Sequence, residues 1–254
     1  MKVGIIGCGA IANLIVNNIL ATEKEISIEF FYDRDIERAE NLADIANGIA
    51  VLSVDELVKN VDLVLEAASP SSVEQHALTI LNNGKSMMIM SVGALMDENL
   101  RNQMIKAAKD HNAKIYTPSG AILGLDGIKA ASIGEIKEAK LTTRKSPRSL
   151  GKNVDKEEIL FEGKASEAVK KFPYNINVAA TLSLACNRDI DVKIIVDPKV
   201  NRNVHEVIVI GDFGKFTTTC ENLPCTNNPK TSMLAAFSAI KLLKSFNDTL
   251  VSGT

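Results

Sequence analysis

The stretch KVGIIGCGAIANLIVNNIL, residues 2–20, joins a short β-branched run, a glycine-rich turn and an apolar stripe with helical spacing. The turn carries Gly7, Gly9 and Ala12 in the spacing GxGxxA. The first glycine allows a tight turn out of a strand, the second lets the backbone approach a pyrophosphate, and the small third residue lets the helix pack closely on the strand. This stretch therefore predicts the strand, turn and helix that open a dinucleotide-binding fold.

An acidic residue supports this prediction. Asp33 ends the next strand-like run, residues 26–33, and follows Gly9 by 24 residues. A carboxylate at this place accepts hydrogen bonds from the ribose hydroxyls of NAD, whereas the adjacent Arg34 favours the 2′-phosphate of NADP. We expect NAD to be preferred and NADP to be tolerated.

Strand-like and helix-like segments alternate over the first 120 residues. This alternation predicts an α/β fold, with an N-terminal Rossmann-type, doubly wound parallel sheet. Ligands of such sheets bind at the carboxyl ends of the strands, so Ala67 and Ala68, which end the run 61–68, are expected near the nicotinamide. The next helix, with Ser71 or Ser72 as its cap, carries His76, which we interpret as an ordinary surface residue. The predicted cofactor contacts of this half are Gly7, Gly9, Ala10, Ile11, Asp33, Arg34, Ala67 and Ala68.

The pattern changes beyond Gly120. Longer segments with alternating polar and apolar residues follow, and one strong helix lies among them, at 177–186. This pattern predicts a second α+β domain of mainly antiparallel sheet. The strand candidates are residues 136–146, 191–200 and 204–220.

An amphipathic helix closes the chain, within residues 228–246. We expect Pro229, with Thr231 or Ser232, to open it. The predicted organisation is a dinucleotide-binding domain, a substrate and dimerisation domain, and a C-terminal helix that packs back on the first domain. Their predicted bounds are 1–120, 121–227 and 228–254.

Composition restricts the classes of partner. The 254 residues include 29 basic and 31 acidic side chains, so the chain lacks the basic surface that nucleic acid binding requires. No run reaches the roughly 18 apolar residues of a membrane helix, and glycines and asparagines interrupt the apolar start, unlike a signal peptide. We expect a cytoplasmic protein without a nucleic acid or membrane partner. Its cysteines show no CxxC spacing and are expected to be free thiols rather than metal ligands: Cys8, Cys186, Cys220 and Cys225.

A histidine lies inside the predicted strand NRNVHEVIVIGDFGKF, residues 201–216. His205 is one of three histidines in the chain. Taken alone, a strand histidine is usually structural, but imidazole also titrates in the range that a general base requires. Asn203 lies on the same strand face as His205. It is predicted to orient the His205 ring, to contact substrate or to face solvent.

Several longer motifs add a family resemblance. Together they resemble the L-aspartate dehydrogenase family from end to end. Such a resemblance implies a two-domain enzyme that oxidises L-aspartate to iminoaspartate with NAD or NADP, the first step of one route to quinolinate and NAD. The motifs are GIIGCGAIA (4–12), YTPSGAILGLDGIKAA (116–131), FPYNINVAATLSLA (172–185), DPKVNRNVHEVIVIGDFGKF (197–216) and NPKTSMLAAFSAI (228–240).

The resemblance also implies residue roles. It places cofactor contacts on Ala121 and Asn177 and the catalytic base on His205. An amino acid dehydrogenase needs a base because a proton leaves the amino group while a hydride leaves the α-carbon.

The two carboxylates of L-aspartate call for cations or a helix N-terminus. The predicted start of the last helix offers Lys230, Thr231 and Ser232 as substrate contacts. Arg144 and Lys145 are alternatives, although their basic segment TRKSPR is typical of a solvated loop.

Two other functions remain open, because a fold does not fix a substrate. One is a reductase of another small dicarboxylic acid or imine. The other is a module that senses NAD without catalysis. The second domain's strands have an open face, through which we expect a homodimer.

Overall fold

The computed structural model describes residues 1–172, 176–225 and 228–253, without the side chains of 224 and 228–231. The chain divides into two units. Unit 1 contains Met1–Pro118 and Ala236–Thr249, and unit 2 contains Ser119–Ala235 and Leu250–Thr254. Residue 227, the predicted end of the second domain, lies outside the described residues.

Six parallel strands form the sheet of unit 1: β1 (Lys2–Ile6), β2 (Ser27–Tyr32), β3 (Ile49–Ala50), β4 (Leu63–Glu66), β5 (Ser86–Ile89) and β6 (Ile115–Tyr116). Their order is β3-β2-β1-β4-β5-β6. All four residues of β4 are buried, as expected for a strand covered on both faces. The predicted doubly wound parallel sheet is confirmed.

The helices of this sheet are α1 (Ala10–Thr22), α2 (Ile36–Ala46), α3 (Val54–Asn60), α4 (Pro70–Asn82) and α5 (Glu98–Asp110), with a 3-10 turn at Val92–Met96. The N-cap of α4 is Ser69, whose hydroxyl accepts a hydrogen bond from the Ser72 N–H. The predicted cap at Ser71 or Ser72 was wrong, because Pro70 already occupies the first helical position, which its fixed φ favours.

Unit 2 contains a five-stranded sheet of β7 (Ile136–Lys145), β8 (Glu158–Lys164), β9 (Asp191–Val196), β10 (Asn203–Gly211) and β11 (Gly214–Asn222). The order is β11-β10-β7-β9-β8, antiparallel except for the parallel pair β7–β9. The mainly antiparallel character is confirmed. The predicted single strand at 204–220 is a hairpin, because Gly214 has a φ of +112° and allows the chain to reverse. The accompanying helices are α6 (Leu125–Ala131), α7 (Pro147–Leu150), α8 (Ala165–Lys171) and α9 (Asn177–Ala185).

The last helix begins later than the sequence predicts. Two short antiparallel strands, β12 (Pro224–Cys225) and β13 (Asn228–Ser232), precede α10 (Met233–Ser245). The predicted helix start at Pro229, Thr231 or Ser232 was wrong, because pairing with β12 holds this segment in an extended conformation. The larger part of α10 belongs to unit 1, where the Lys244 ammonium lies 2.6 Å from the Thr22 hydroxyl.

The helices, the cysteines and the possible metal-binding side chains of the described residues bear on the protein's chemistry. None of the helices in the described ranges has the length and apolar character that a bilayer crossing requires. All four cysteines are buried free thiols. Within the described residues, no group of three or more His, Cys, Asp or Glu side chains is arranged to hold a metal ion.

Candidate active site

A cleft lies in unit 1 at the carboxyl ends of β1, β2 and β4. The strand order reverses at this point of the sheet, where doubly wound folds bind their ligands. The lining includes six of the predicted cofactor residues, namely Gly7, Gly9, Asp33, Arg34, Ala67 and Ala68. Ala10 and Ile11 lie in the first turn of α1 beside it.

Gly7 is required by the turn itself. Its φ is +90°, and a Cβ atom there would lie 2.6 Å from the backbone nitrogen and Cα of Ala68. Its N–H donates to the Tyr32 carbonyl at 2.8 Å. The first glycine of the motif thus brings the ends of β1, β2 and β4 together.

Gly9 leaves space for a ligand. A Cβ at Gly9 would meet no atom within 4 Å, and Gly9 begins α1 without a side-chain cap. The N–H groups in the first turn of this 13-residue helix, together with its dipole, favour a phosphate. The turn therefore fits the pyrophosphate of a dinucleotide.

Asp33 connects the end of β2 to the glycine turn. Its carboxylate accepts hydrogen bonds from the N–H groups of Cys8 at 2.8 Å and Asp35 at 3.0 Å. Each carboxylate oxygen can accept a further bond from a ribose hydroxyl. Arg34 also lines the cleft, as does Arg38, whose Nε lies 3.1 Å from the carboxylate of Asp35.

The cleft also contains residues that the sequence analysis missed. Besides Arg38, these are Ile6, Tyr32, Ser71, Ser72, Gln75 and His76. Ser69 also lines the cleft, in the short segment Ala67–Ser69 that the sequence predicts near the nicotinamide. His76 contacts the Tyr32 ring edge-on at 5.7 Å between centroids, and burial lowers its pKa. Ser72, Gln75 and His76 share one face of α4 at helical spacing, which was the available signal.

A buried carboxylate supports the wall of the cleft. Glu66, fully buried at the end of β4, accepts hydrogen bonds from the N–H groups of Ala68, Ser69 and Ser91 and from the Ser91 hydroxyl, at 2.8–3.0 Å. Burial raises its pKa, while these donors act in the opposite direction. Glu66 thereby connects the backbone of Ala68 and Ser69 to Ser91, two residues beyond the end of the neighbouring strand β5.

His205 lies on β10 in unit 2 and is 4 % exposed. It is paired with Thr143 of β7, whose hydroxyl lies 2.9 Å from His205 Nδ1. This contact fixes the ring from the Nδ1 side. On the opposite strand β11, the residue paired with His205 is Cys220.

Lys145, at the end of β7, is 5 % exposed. Interpretation of its segment as a solvated loop was wrong for Arg144 and Lys145, because both belong to a strand in the interior of the sheet. Burial lowers the Lys145 pKa to about 8. Burial and, secondarily, the Lys145 charge lower the pKa of His205 to about 3.

The other predicted residues of unit 2 are placed as follows. Asn203 is buried two residues before His205, which excludes the predicted solvent-facing alternative. The Ala121 carbonyl accepts a hydrogen bond from the Asn222 amide at 2.9 Å, and the Asn177 carbonyl accepts one from the Thr181 hydroxyl at 2.9 Å. The cofactor roles of Ala121 and Asn177 stay predictions.

The residues before α10 were predicted to contact substrate because they were expected to begin a helix, and the structure removes this reason. Ser232 is buried, whereas the side chains of Lys230 and Thr231 lie outside those that the structure describes. Because these residues belong to β13, they do not form the first turn of a helix. Their contact with substrate stays a prediction that the helix N-terminus no longer supports.

The buried His205 predicts a pH-dependent stability. The pKa is about 6.5 in an unfolded chain and about 3 in the folded protein, so between these values only the unfolded chain binds the extra proton. The free energy of unfolding therefore falls as the pH falls from 6.5 towards 3. From pH 7 to pH 5, this group is expected to remove about 2 kcal/mol.

Urea unfolding at pH 7 and pH 5 measures this effect. Glutamine does not titrate in this range, so His205→Gln should lose this change of about 2 kcal/mol in the free energy of unfolding. His111→Gln, which changes the exposed C-cap of α5, should keep the wild-type pH dependence. If the free energy of unfolding depended equally on pH in wild type and in His205→Gln, His205 would not be a buried, neutral imidazole in the folded protein.

Comparisons with protein families cover both parts of the chain. Residues 126–246 match the family model described as aspartate dehydrogenase, C-terminal. Residues 7–118 match the model described as homoserine dehydrogenase, NAD binding domain. The NAD-binding match coincides with the part that contains the cleft.

Full-length relatives are also similar. An L-aspartate dehydrogenase of Methanothermobacter thermautotrophicus is 58% identical over 254 residues, covering 100% of this chain and 99% of that protein. One from Methanosarcina mazei is 45% identical over 271 residues, with 100% of both chains covered. The crystal structure of aspartate dehydrogenase from Thermotoga maritima has a TM-score of 0.83 and 30% identity, covering 100% of this chain and 99% of that one.

Proposed function

Because the chain belongs to the L-aspartate dehydrogenase family, we propose that it oxidises L-aspartate to iminoaspartate with NAD or NADP as hydride acceptor. Water converts the imine to oxaloacetate and ammonia. We further propose that the imine feeds the synthesis of quinolinate and NAD, the role that the family resemblance implies.

The environment of His205 is the observation that most directly supports the proposed oxidation. The imidazole is buried, neutral and held at Nδ1 by the Thr143 hydroxyl. If the Nδ1 N–H donates to Thr143, the lone pair of Nε2 remains available to accept a proton. A neutral imidazole with one nitrogen fixed in this way is suited to act as a general base.

The oxidation removes a proton from the substrate amino group and a hydride from its α-carbon. When bound, NAD or NADP supplies the nicotinamide ring that takes up the hydride from the α-carbon. His205 accepts a proton from the substrate ammonium, which makes the nitrogen lone pair available to form the C=N bond. The fixed Thr143 contact keeps the imidazole in one orientation, so less entropy is lost when the reacting groups align.

Opposing charges at one end of the cleft, one acidic and two basic, are proposed to set cofactor preference. Asp33 accepts the ribose hydroxyls of NAD and repels a 2′-phosphate, while Arg34 and Arg38 attract that phosphate. Asp33→Asn is therefore expected to raise the NADP/NAD ratio of kcat/KM by about tenfold. Glu37→Gln, at an exposed position of α2, is the control. An unchanged ratio in Asp33→Asn would contradict the assignment of Asp33 to the ribose.

Initial rates test the proposed reaction directly. Purified protein with L-aspartate and either NAD or NADP should show a rise in absorbance at the wavelength of the reduced nicotinamide. A panel of other amino acids and of small dicarboxylic acids and imines, assayed in both directions, provides the comparison. Turnover of one of these substrates without turnover of L-aspartate would contradict the proposal, as would cofactor binding without any turnover.

The assembly and location are proposals as well. We propose a homodimer formed through the open face of the unit 2 sheet, which a sedimentation experiment showing a monomer at micromolar concentration would contradict. We also propose a cytoplasmic location, which four free thiols support.

A further inference from the structure

The cleft in unit 1 has two ends, which the strand order distinguishes. Asp33, which is proposed to hold the adenosine ribose, follows β2, and the glycine turn that fits the pyrophosphate follows β1. β4 and β5 lie on the other side of β1. A dinucleotide that crosses the turn therefore extends its nicotinamide half over the carboxyl ends of β4 and β5.

Glu66 lies behind this second end of the cleft. It is the last residue of β4 and is fully buried. Its carboxylate accepts hydrogen bonds from the N–H groups of Ala68 at 2.8 Å and Ser69 at 2.9 Å, and both of these residues line the cleft. The carboxylate thus lies at hydrogen-bond distance behind the wall of the cleft.

The charge of Glu66 is held by neutral groups. Its four hydrogen-bond partners are three backbone N–H groups and the Ser91 hydroxyl, and all four donate to the carboxylate. Donors of this kind favour the ionised form. Burial raises the Glu66 pKa and these donors act against it, while no charged side chain in the described part of the chain contributes. The field of this buried charge therefore extends into the cleft without a neighbouring cation to cancel it.

The two redox states of the cofactor differ in charge at the ring. The nicotinamide ring of NAD carries one positive charge, whereas the ring of NADH is neutral. We propose that Glu66 makes the cleft bind NAD more tightly than NADH, because its carboxylate attracts the positive ring through the wall formed by Ala68 and Ser69. This inference rests on the proposed function, in which NAD is the hydride acceptor.

The expected effect is large enough to measure. Two unit charges about 10 Å apart still change a binding constant roughly tenfold at the effective dielectric constant of about 20 that suits buried sites. NADH lacks this attraction and dissociates more readily once the hydride has been transferred. The same preference lowers the reduction potential of the bound cofactor, by about 30 mV for a tenfold ratio of the two Kd values.

Calorimetric titration of the full-length protein with NAD and with NADH tests the inference through the ratio of Kd for NADH to Kd for NAD. Glu66→Gln keeps the shape of the side chain and removes the charge, so this ratio should fall at least about fivefold from its wild-type value. Glu66→Asp disturbs the same hydrogen bonds but keeps the charge, so both Kd values should rise while their ratio stays within about twofold. A ratio that changes equally in the two variants, or in neither, would overturn the inference.

Asp33→Asn is the matched control at the other end of the cleft. It also replaces a carboxylate by an amide, but the adenosine ribose that Asp33 is proposed to hold is the same in NAD and NADH. Both Kd values should therefore rise, and their ratio should stay within about twofold of wild type. A fall as large as that expected for Glu66→Gln would mean that the ratio follows the total charge of the cleft rather than Glu66.

A measurement on the wild type covers the case in which Glu66→Gln does not fold. An NAD analogue with benzamide attached through carbon in place of nicotinamide keeps the aromatic ring and the carboxamide but carries no charge on the ring. The wild type should bind this analogue at least about fivefold more weakly than NAD. Equal affinities for the analogue and for NAD would overturn the inference.

The two proposals fail in different ways. If the wild type oxidises L-aspartate and the Kd ratio is the same in wild type and Glu66→Gln, the role of Glu66 is overturned and the proposed function stands. If the ratio falls in Glu66→Gln as expected but the wild type oxidises no L-aspartate with NAD or NADP, the proposed function is overturned and the role of Glu66 stands.

Discussion

Replacing His205 by alanine is expected to lower kcat for L-aspartate oxidation by at least about a hundredfold while NAD affinity is retained. His205 lies in unit 2, whereas the described nucleotide cleft lies in unit 1. The variant therefore removes the proposed base without removing a residue that lines the cleft. Steady-state rates and NADH titration measure the two effects separately.

Two further variants make the His205 result specific. His111→Ala, at the exposed end of α5, should keep wild-type rates. Thr143→Val removes the hydroxyl that holds Nδ1 but leaves the imidazole, so a smaller decrease of about tenfold is expected. Added imidazole should restore part of the activity of His205→Ala, because it supplies the missing base in the space that the side chain vacates. Full turnover in His205→Ala would mean that another group takes the proton.

Replacing Gly9 or Gly7 of the turn by alanine is expected to affect different properties: Gly9→Ala changes mainly NAD binding, and Gly7→Ala mainly the free energy of unfolding. Gly9→Ala should leave the free energy of unfolding nearly unchanged, because Gly9 has a φ of −83° and open space where the Cβ would be. That Cβ occupies the approach to the pyrophosphate, so the Kd for NAD should rise by at least about tenfold.

Gly7→Ala should mainly affect the fold. Its φ of +90° is unfavourable for alanine, and its Cβ would lie 2.6 Å from the backbone of Ala68. The strain and the contact together are expected to lower the free energy of unfolding by about 2–4 kcal/mol. Urea unfolding and NAD titration on both variants measure the contrast. Wild-type NAD affinity in Gly9→Ala would place the pyrophosphate away from this turn.

The nucleotide half could be predicted largely because its determinants are local. The roles of Gly7 and Gly9 depend on backbone conformation and on the missing Cβ, both of which a short motif reveals. Alternating strand and helix patterns also predict a parallel sheet, since parallel strands need crossover helices. The wall formed by α4 was missed, because the pattern does not say which face of a helix meets the cleft.

The surroundings of His205 could not be predicted in the same way. Its partner Thr143 is 62 residues earlier in the chain, and the pairing depends on strand register. Lys145 was misread for a related reason: a basic segment is usually solvated, but the position of β7 between β10 and β9 buries this lysine. The start of α10 was displaced by strand pairing with β12, which overrides a local helix-opening pattern.

The sequence by itself determined the glycine-rich turn after β1, the acid at the end of β2, the two kinds of sheet and the family motifs around His205. Each follows from residues that are neighbours in the chain, or from periodicity along one segment. Only the tertiary structure decided that Thr143 holds His205 and that the buried Glu66 connects Ala68 and Ser69 to Ser91. The reason is that strand order and register bring distant residues together, and burial then determines how strongly their charges and hydrogen bonds act.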